Sequence, residues 1–219
     1  MEILITDVTE MSGDNYCVAG WDTTHKRMIR PLPGGGHWPQ GLIRKHGVTP
    51  GAILRAAPTG AATGSFPHLT EDTPIDLTSI VTTQSTPNWI GAGAPDVSAS
   101  VSEAFDDNLK WNKIFGGVHQ GVYVPKSTQC SSLAAVNVGK MDISFTQPFG
   151  KLLAIVDDGT DRYQLSVSSH IFKNAWRDGG VAKATSMLPN RSLLHVRIGL
   201  ARDFEGQPNK CYLMVNGIL

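Results

Sequence analysis

Apolar runs in this chain are short, and turn residues cut off each one. "EILITDVT", "NYCVAGWD" and "KRMIRPLP" follow one another across "MSGD" and "DTTH". "GAILRAAP" and "IDLTSIVTT" continue in the same style. Runs of this length, rich in β-branched residues, read as strands, and the first three as an antiparallel meander. With 23 Gly and 13 Pro among 219 residues, turns are favoured over long helices. A chain of this kind must bury its core between or inside sheets. The second half repeats the pattern in "GVYVP", "SSLAAVNV", "MDISFTQ", "GKLLAIVDD", "RYQLSVSS", "SLLHVRIGLARDF" and "NKCYLMVNGIL". "DDGTD" marks a hairpin between two of these.

Two segments carry a helical pattern. In "VSEAFDDNLKWNKIF", Val101, Phe105 and Leu109 fall on one face, Ser102 can cap the start, and Gly116 and Gly117 stop it. "SSHIFKNAWRD" predicts a short helix ending at Gly179. Trp111 and Trp176 are expected to pack these helices onto sheets. Between Ser85 and Ser100 the composition turns small and polar, as in a linker. The expected class is therefore mainly β, two small β-barrels with a few short helices. Residues 1–84 would form the first barrel, 85–118 a linker with a helical segment, and 119–219 the second. Short strands in small closed sheets are the habit of OB-like barrels.

Formal net charge is +0. A protein holding nucleic acid mainly by neutralising phosphates is usually basic, so any such binding must use a local patch or a partner. Cys17, Cys130 and Cys211 are far apart and form no CxxC pair, which suits a reduced, cytoplasmic protein. Cys17 and Cys211 lie in apolar runs and read as buried thiols; Cys130, in "STQCSS", reads as exposed. Met1 leads straight into a strand-like segment, so neither a signal peptide nor a membrane span is expected.

The densest chemistry lies in "CVAGWDTTHKRMIRPLPGGGHWP" and just beyond it. Trp21 and Trp38 could stack on bases, and Lys26, Arg27, Arg30, Arg44 and Lys45 could contact phosphates. The ordinary reading is that Trp21 closes a barrel end, Arg30 pairs with a buried carboxylate such as Asp7 or Asp72, and the hairpin cations are solvated. In "FPHLTED", His68, Glu71 and Asp72 lie close together and could bind a metal or act as acid and base, and His68 or Glu71 could contact a base edge or ribose. The ordinary alternative is a capped turn with Glu71 paired to an arginine. No HExxH, P-loop or GxSxG pattern is present, so no metal, cofactor or catalytic group is expected.

Taken in order, "YCVAGWD…RMIRPLP", "TPGAILRAAPTG…FPHLTEDTPID", "GVYVP…SSLAAVNVGKMDISF", "DDGTDRYQLSVSSHIF" and "LLHVRIGLARDF…KCYLMVNGIL" resemble the dual OB-containing domain family of prokaryotes over nearly the whole chain. Met28 stands where that family usually has Trp before "IRP". The resemblance implies two OB-like barrels and a nucleic-acid or nucleotide recognition module in a genome-defence assembly. The leading expectation is a non-catalytic binding module working with a protein partner. The alternatives are a structural protein–protein adaptor without nucleic-acid binding, and a nucleotide-acting enzyme using His68, Glu71 and Asp72.

Overall fold

The computed structural model describes residues 1–34, 36–61, 64–84 and 97–219. The chain is mainly β, with two curled sheets, one of them a half-barrel. It divides into two units. One comprises Met1–Gly64 and Leu69–Pro95; the other comprises Ser65–His68 and Asp96–Leu219. Most of the expected linker, residues 85–96, lies outside the described residues.

The first unit opens with the expected meander: β1 (Glu2–Glu10), β2 (Asn15–Asp22) and β3 (Arg27–Pro33). A two-residue strand, β4 (Trp38–Pro39), pairs with β2 and leads into α1 (Gln40–His46). Then come β5 (Ala52–Arg55), β6 (Asp72–Ile75) and β7 (Val81–Gln84). The order across the sheet is β6-β3-β2-β1-β5-β7. β1 occupies the middle and is buried from Ile3 through Thr9, which explains why its side chains are nearly all apolar or hydroxyl-bearing. Ile3, Ile5, Val18, Ile29, Leu54 and Ile75 form the centre of the core. Helix α1 was not anticipated from sequence. Its signals are nonetheless present: Pro39 just before it, Arg44, Lys45 and His46 in its last turn, and Gly47 in a left-handed conformation closing it.

The second unit contains β8 (Lys110–Phe115), β9 (Val118–Pro125), β10 (Leu133–Gly139), β11 (Ile143–Thr146), β12 (Leu153–Asp157), β13 (Arg162–Val167), α2 (His170–Ser186), β14 (Leu193–Leu200) and β15 (Lys210–Ile218). The order is β10-β14-β15-β9-β13-β12-β11, with β8 added against β9. β13 runs parallel to both β9 and β15. Helix α2 packs on the inner side, where the Phe172 ring lies 5.4 Å from that of Phe145. Gly179 and Gly180 interrupt α2 with non-helical backbone, but the chain resumes a helical path to Ser186.

Several expectations are corrected here. The helix expected over residues 101–115 is a single turn at Glu103–Phe105 followed by the strand β8. Asp106 and Asp107 adopt positive φ (53° and 56°), which ends the turn, and pairing with β9 claims the rest. Val101, Phe105 and Leu109 are buried as the apolar pattern implied, yet on a loop and a turn. Trp111 therefore sits on an edge strand, while Trp176 does pack against the core from α2. Residues 97–118 group with the second unit. Cys130 is buried and Cys17 only half-buried, the reverse of the sequence reading; Cys211 is buried.

Candidate functional site

The Trp21–Lys45 span does not form one surface. Trp38 is 0% exposed, and its indole N–H donates to the Pro31 carbonyl at 2.7 Å. It is a core residue and is sealed from any stacking partner. Arg30 is 5% exposed. Because β3 and β6 run parallel with Arg30 opposite Asp72, its guanidinium meets the Asp72 carboxylate at 2.8 Å, while its backbone N–H donates to Glu71 O at 2.7 Å. Burial works against the Arg30 charge, but the fields of Cys17, Asp72 and Glu71 and the Asp72 hydrogen bond outweigh it and raise its pKa. The ordinary pairing read from sequence is the one observed.

Trp21 is half-buried between Leu4 and Met28 on the neighbouring strands, and its buried indole N–H has no hydrogen-bond partner among the described residues. Lys26 and Arg27 are exposed on the β2–β3 turn. Asp22 builds that turn by accepting from the backbone N–H groups of Thr24 and His25, with the His25 ring at 2.7 Å. The Asp22 pairing with Arg27 and the Tyr16 pairing with Trp38 stand six residues apart along β2, about 20 Å at strand spacing. Arg44 and Lys45 are exposed on α1. Of the candidate contacts in this span, Trp38 and Arg30 are therefore held in the interior.

His68, Glu71 and Asp72 are all buried. His68 belongs to the second unit and contacts the Leu200 carbonyl at 3.0 Å, whereas Glu71 and Asp72 belong to the first. Among the described residues no group of three or more His, Cys, Asp and Glu is placed to hold a metal ion. No helix among them is long and apolar enough to cross a membrane.

The residue types sought in the first unit come together on the second. Phe115 and Val118 pair across a two-residue Gly116–Gly117 turn, both glycines having positive φ (57° and 72°). That conformation suits the twist of a tight hairpin and is open to glycine. The turn sets the register that follows. Lys113 faces Gln120, Gln120 faces Gln164, and Gln164 faces Ile155, in one row across β8, β9, β13 and β12. The next row holds Phe115, Val118, Arg162 and Asp157. Strict alternation along β13 buries Tyr163, Leu165 and Val167 and turns Arg162 and Gln164 outward.

A cleft of about 360 Å³ lies on this outer face. Lys113, Phe115, Gln120 and Gln164 line it from the sheet. Pro148, Phe149 and Lys151 from the β11–β12 connection, and Leu153 at the start of β12, close it. Its lining holds two cations and no carboxylate. Phe115 is 72% exposed and Phe149 is 100% exposed. Phe149 also has φ 53°, a left-handed backbone uncommon for an aromatic residue. Strain of this kind costs about 1–3 kcal/mol and gathers at functional sites. Lys113 and Lys151 make no ion pair among the described residues, while Arg162 is held by Asp157 at 3.6 Å. Neither glutamine has a side-chain hydrogen bond to another described residue.

Beneath this face, His119 Nε2 lies 3.2 Å from Asp161, the Trp111 ring meets the His119 ring edge-on at 4.3 Å, and Tyr163 packs alongside. Burial, with the nearby Asp158 and Asp161 carboxylates, holds the Tyr163 hydroxyl well above the usual phenol range.

Sequence reasoning missed the cleft because its members are scattered from Lys113 to Gln164, and because β8 was read as a helix. One local signal was available: "IFGGV" is a tight-hairpin pattern that would have made Phe115 a strand residue. No protein-family model matches the chain, and no curated protein matches it.

Proposed function

We propose that the protein is a non-catalytic binding module that recognises single-stranded nucleic acid or a nucleotide through the outer face of β8, β9, β13 and β12. The observation that carries this reading is the cleft: two exposed phenylalanines, two lysines without an ion pair and two amides without a side-chain hydrogen bond among the described residues, and no carboxylate in the lining. Aromatic faces stack on bases, worth about 1–3 kcal/mol each. Lysines neutralise phosphates. A base lying against Phe115 or Phe149 places its sugar–phosphate edge toward Lys113 and Lys151, and its polar edge toward the glutamines. The OB-like character of the two units, and a place as subunit or accessory of a prokaryotic genome-defence assembly, rest on the ordered motifs described above.

An adaptor role draws on the same exposed phenylalanines, since apolar patches of this kind also mark protein interfaces. The unpaired lysines and amides favour the anionic, polar-edged ligand. An enzymatic role is the weaker reading, because Asp72 is paired with Arg30 and His68 contacts the Leu200 carbonyl.

Fluorescence anisotropy with labelled single strands of about twelve nucleotides, within the site sizes of small β-barrels, tests the proposal. Saturable binding is expected at about 50 mM salt, with a log–log salt slope near −1.4 for two phosphate contacts. Absence of binding at that salt overturns it.

A further inference from the structure

We propose that the cleft discriminates among bases, with Gln120 and Gln164 as its specificity-determining residues and adenine as the preferred base. The inference rests on the proposed function and goes one step further, from single strands as a class to single strands of a particular composition.

Binding that tolerates every sequence needs only π-faces and cations. Phe115, Phe149, Lys113 and Lys151 already supply both. The glutamines are an addition that such binding does not require. They are direct neighbours in register on parallel strands, half-buried, and without side-chain hydrogen bonds to other described residues. Their surroundings are sharply divided. Lys113 stands opposite Gln120 on one side, and Ile155 stands opposite Gln164 on the other. A base lying on a phenylalanine would cover both amides and strip their water. Each amide then needs a partner, and a covered amide left unmatched loses on the order of tenfold in affinity. A carboxamide offers one acceptor and one donor in a plane. Adenine presents its amino group between two ring-nitrogen acceptors, N1 and N7, so each of two neighbouring amides can pair through two hydrogen bonds, whereas cytosine offers a single edge of this kind. A purely apolar partner would leave both amides stranded, so the pair also argues against a plain hydrophobic occupant.

The test compares oligodeoxyadenylate, oligodeoxycytidylate and oligothymidylate, each about twelve nucleotides long, on the full chain. Oligodeoxyadenylate is expected to bind about tenfold more tightly than the weakest of the three. Gln120→Leu combined with Gln164→Leu should collapse that spread to within about threefold while binding itself persists. Gln120→Glu should move the preference toward cytidylate, since a carboxylate accepts from the cytosine amino group but offers no donor. A loss of packing alone would not produce that change in ranking. Thermal unfolding of each variant separates misfolding from lost discrimination. Equal binding of the three strands by the wild-type protein overturns the inference and leaves the proposed function standing, as does a spread that survives in the double leucine variant. Failure of every strand to bind overturns both.

Discussion

The two units use the same residue types to opposite ends. In the first, tryptophan and arginine crowd a short stretch of sequence, and folding turns the most conspicuous of them inward. Trp38 fills the core and donates to Pro31, and Arg30 is neutralised by Asp72. In the second, phenylalanine, lysine and glutamine are spread over some fifty positions, and strand register brings them to one outer face. Local density of aromatic and cationic residues therefore says little about a surface. What decides is the face each residue occupies, and in a sheet that changes with every step along the strand.

The contrast can be broken first at its buried end. Asp72→Ala should destabilise the protein by about 3–5 kcal/mol, because it strands a buried guanidinium. Urea unfolding measures this. Replacing the pair together, as Arg30→Met with Asp72→Leu, should recover most of that loss. A near-zero effect of Asp72→Ala would mean that Arg30 is reachable by solvent and would reopen the first unit as a binding face.

At the exposed end the expected effects are smaller and fall on binding. Phe149→Gly should weaken single-strand binding by about 1–3 kcal/mol through loss of a stacking face. The same change should raise stability by about 1 kcal/mol, because glycine accepts the left-handed backbone without strain. Opposite signs in the anisotropy and melting data would separate function from folding at one residue. Lys113→Ala should reduce the magnitude of the salt slope by about 0.7, the contribution of one phosphate contact to a single strand. The same change at Lys26 or Arg44 should leave the slope unaltered.

The smallest effect concerns the β2–β3 turn. Burial pushes the Asp22 carboxyl up, but the His25 ring and the backbone N–H groups of Thr24 and His25 outweigh it and hold the group below the usual carboxylate range. A depressed folded-state value means that the ionised turn adds stability above about pH 4, the ordinary carboxylate value. That stability is lost as pH falls further, through the folded-state value. Asp22→Asn should flatten the acid limb of a stability–pH profile without altering strand binding at neutral pH.

Much of the fold was legible because strands depend on short-range pattern. β1, β2 and β3 match the apolar runs nearly residue for residue, and "DDGTD" is the β12–β13 turn, held by Asp158 accepting from the N–H groups of Thr160 and Asp161. The misread elements had competing patterns. "VSEAFDDNLKWNKIF" carries helical spacing, yet the paired aspartates and the strand opposite decide its conformation. The short helix α1 was hidden by the glycines before it. The cleft was illegible for a different reason. Gln120 and Gln164 are adjacent only because β9 and β13 pair in parallel, a long-range choice that no local spacing encodes. Arg30 and Asp72 meet for the same reason, through the parallel β3–β6 pairing.

The most direct test is a nitrogen–proton NMR titration of the full chain with oligodeoxyadenylate, following the side-chain N–H signals. The account predicts that the Gln120 and Gln164 amide signals move progressively with added strand, while the Trp21 and Trp38 indole signals stay in place. Movement of the two indole signals with the glutamine amides unchanged would contradict it, and would return the ligand to the first unit.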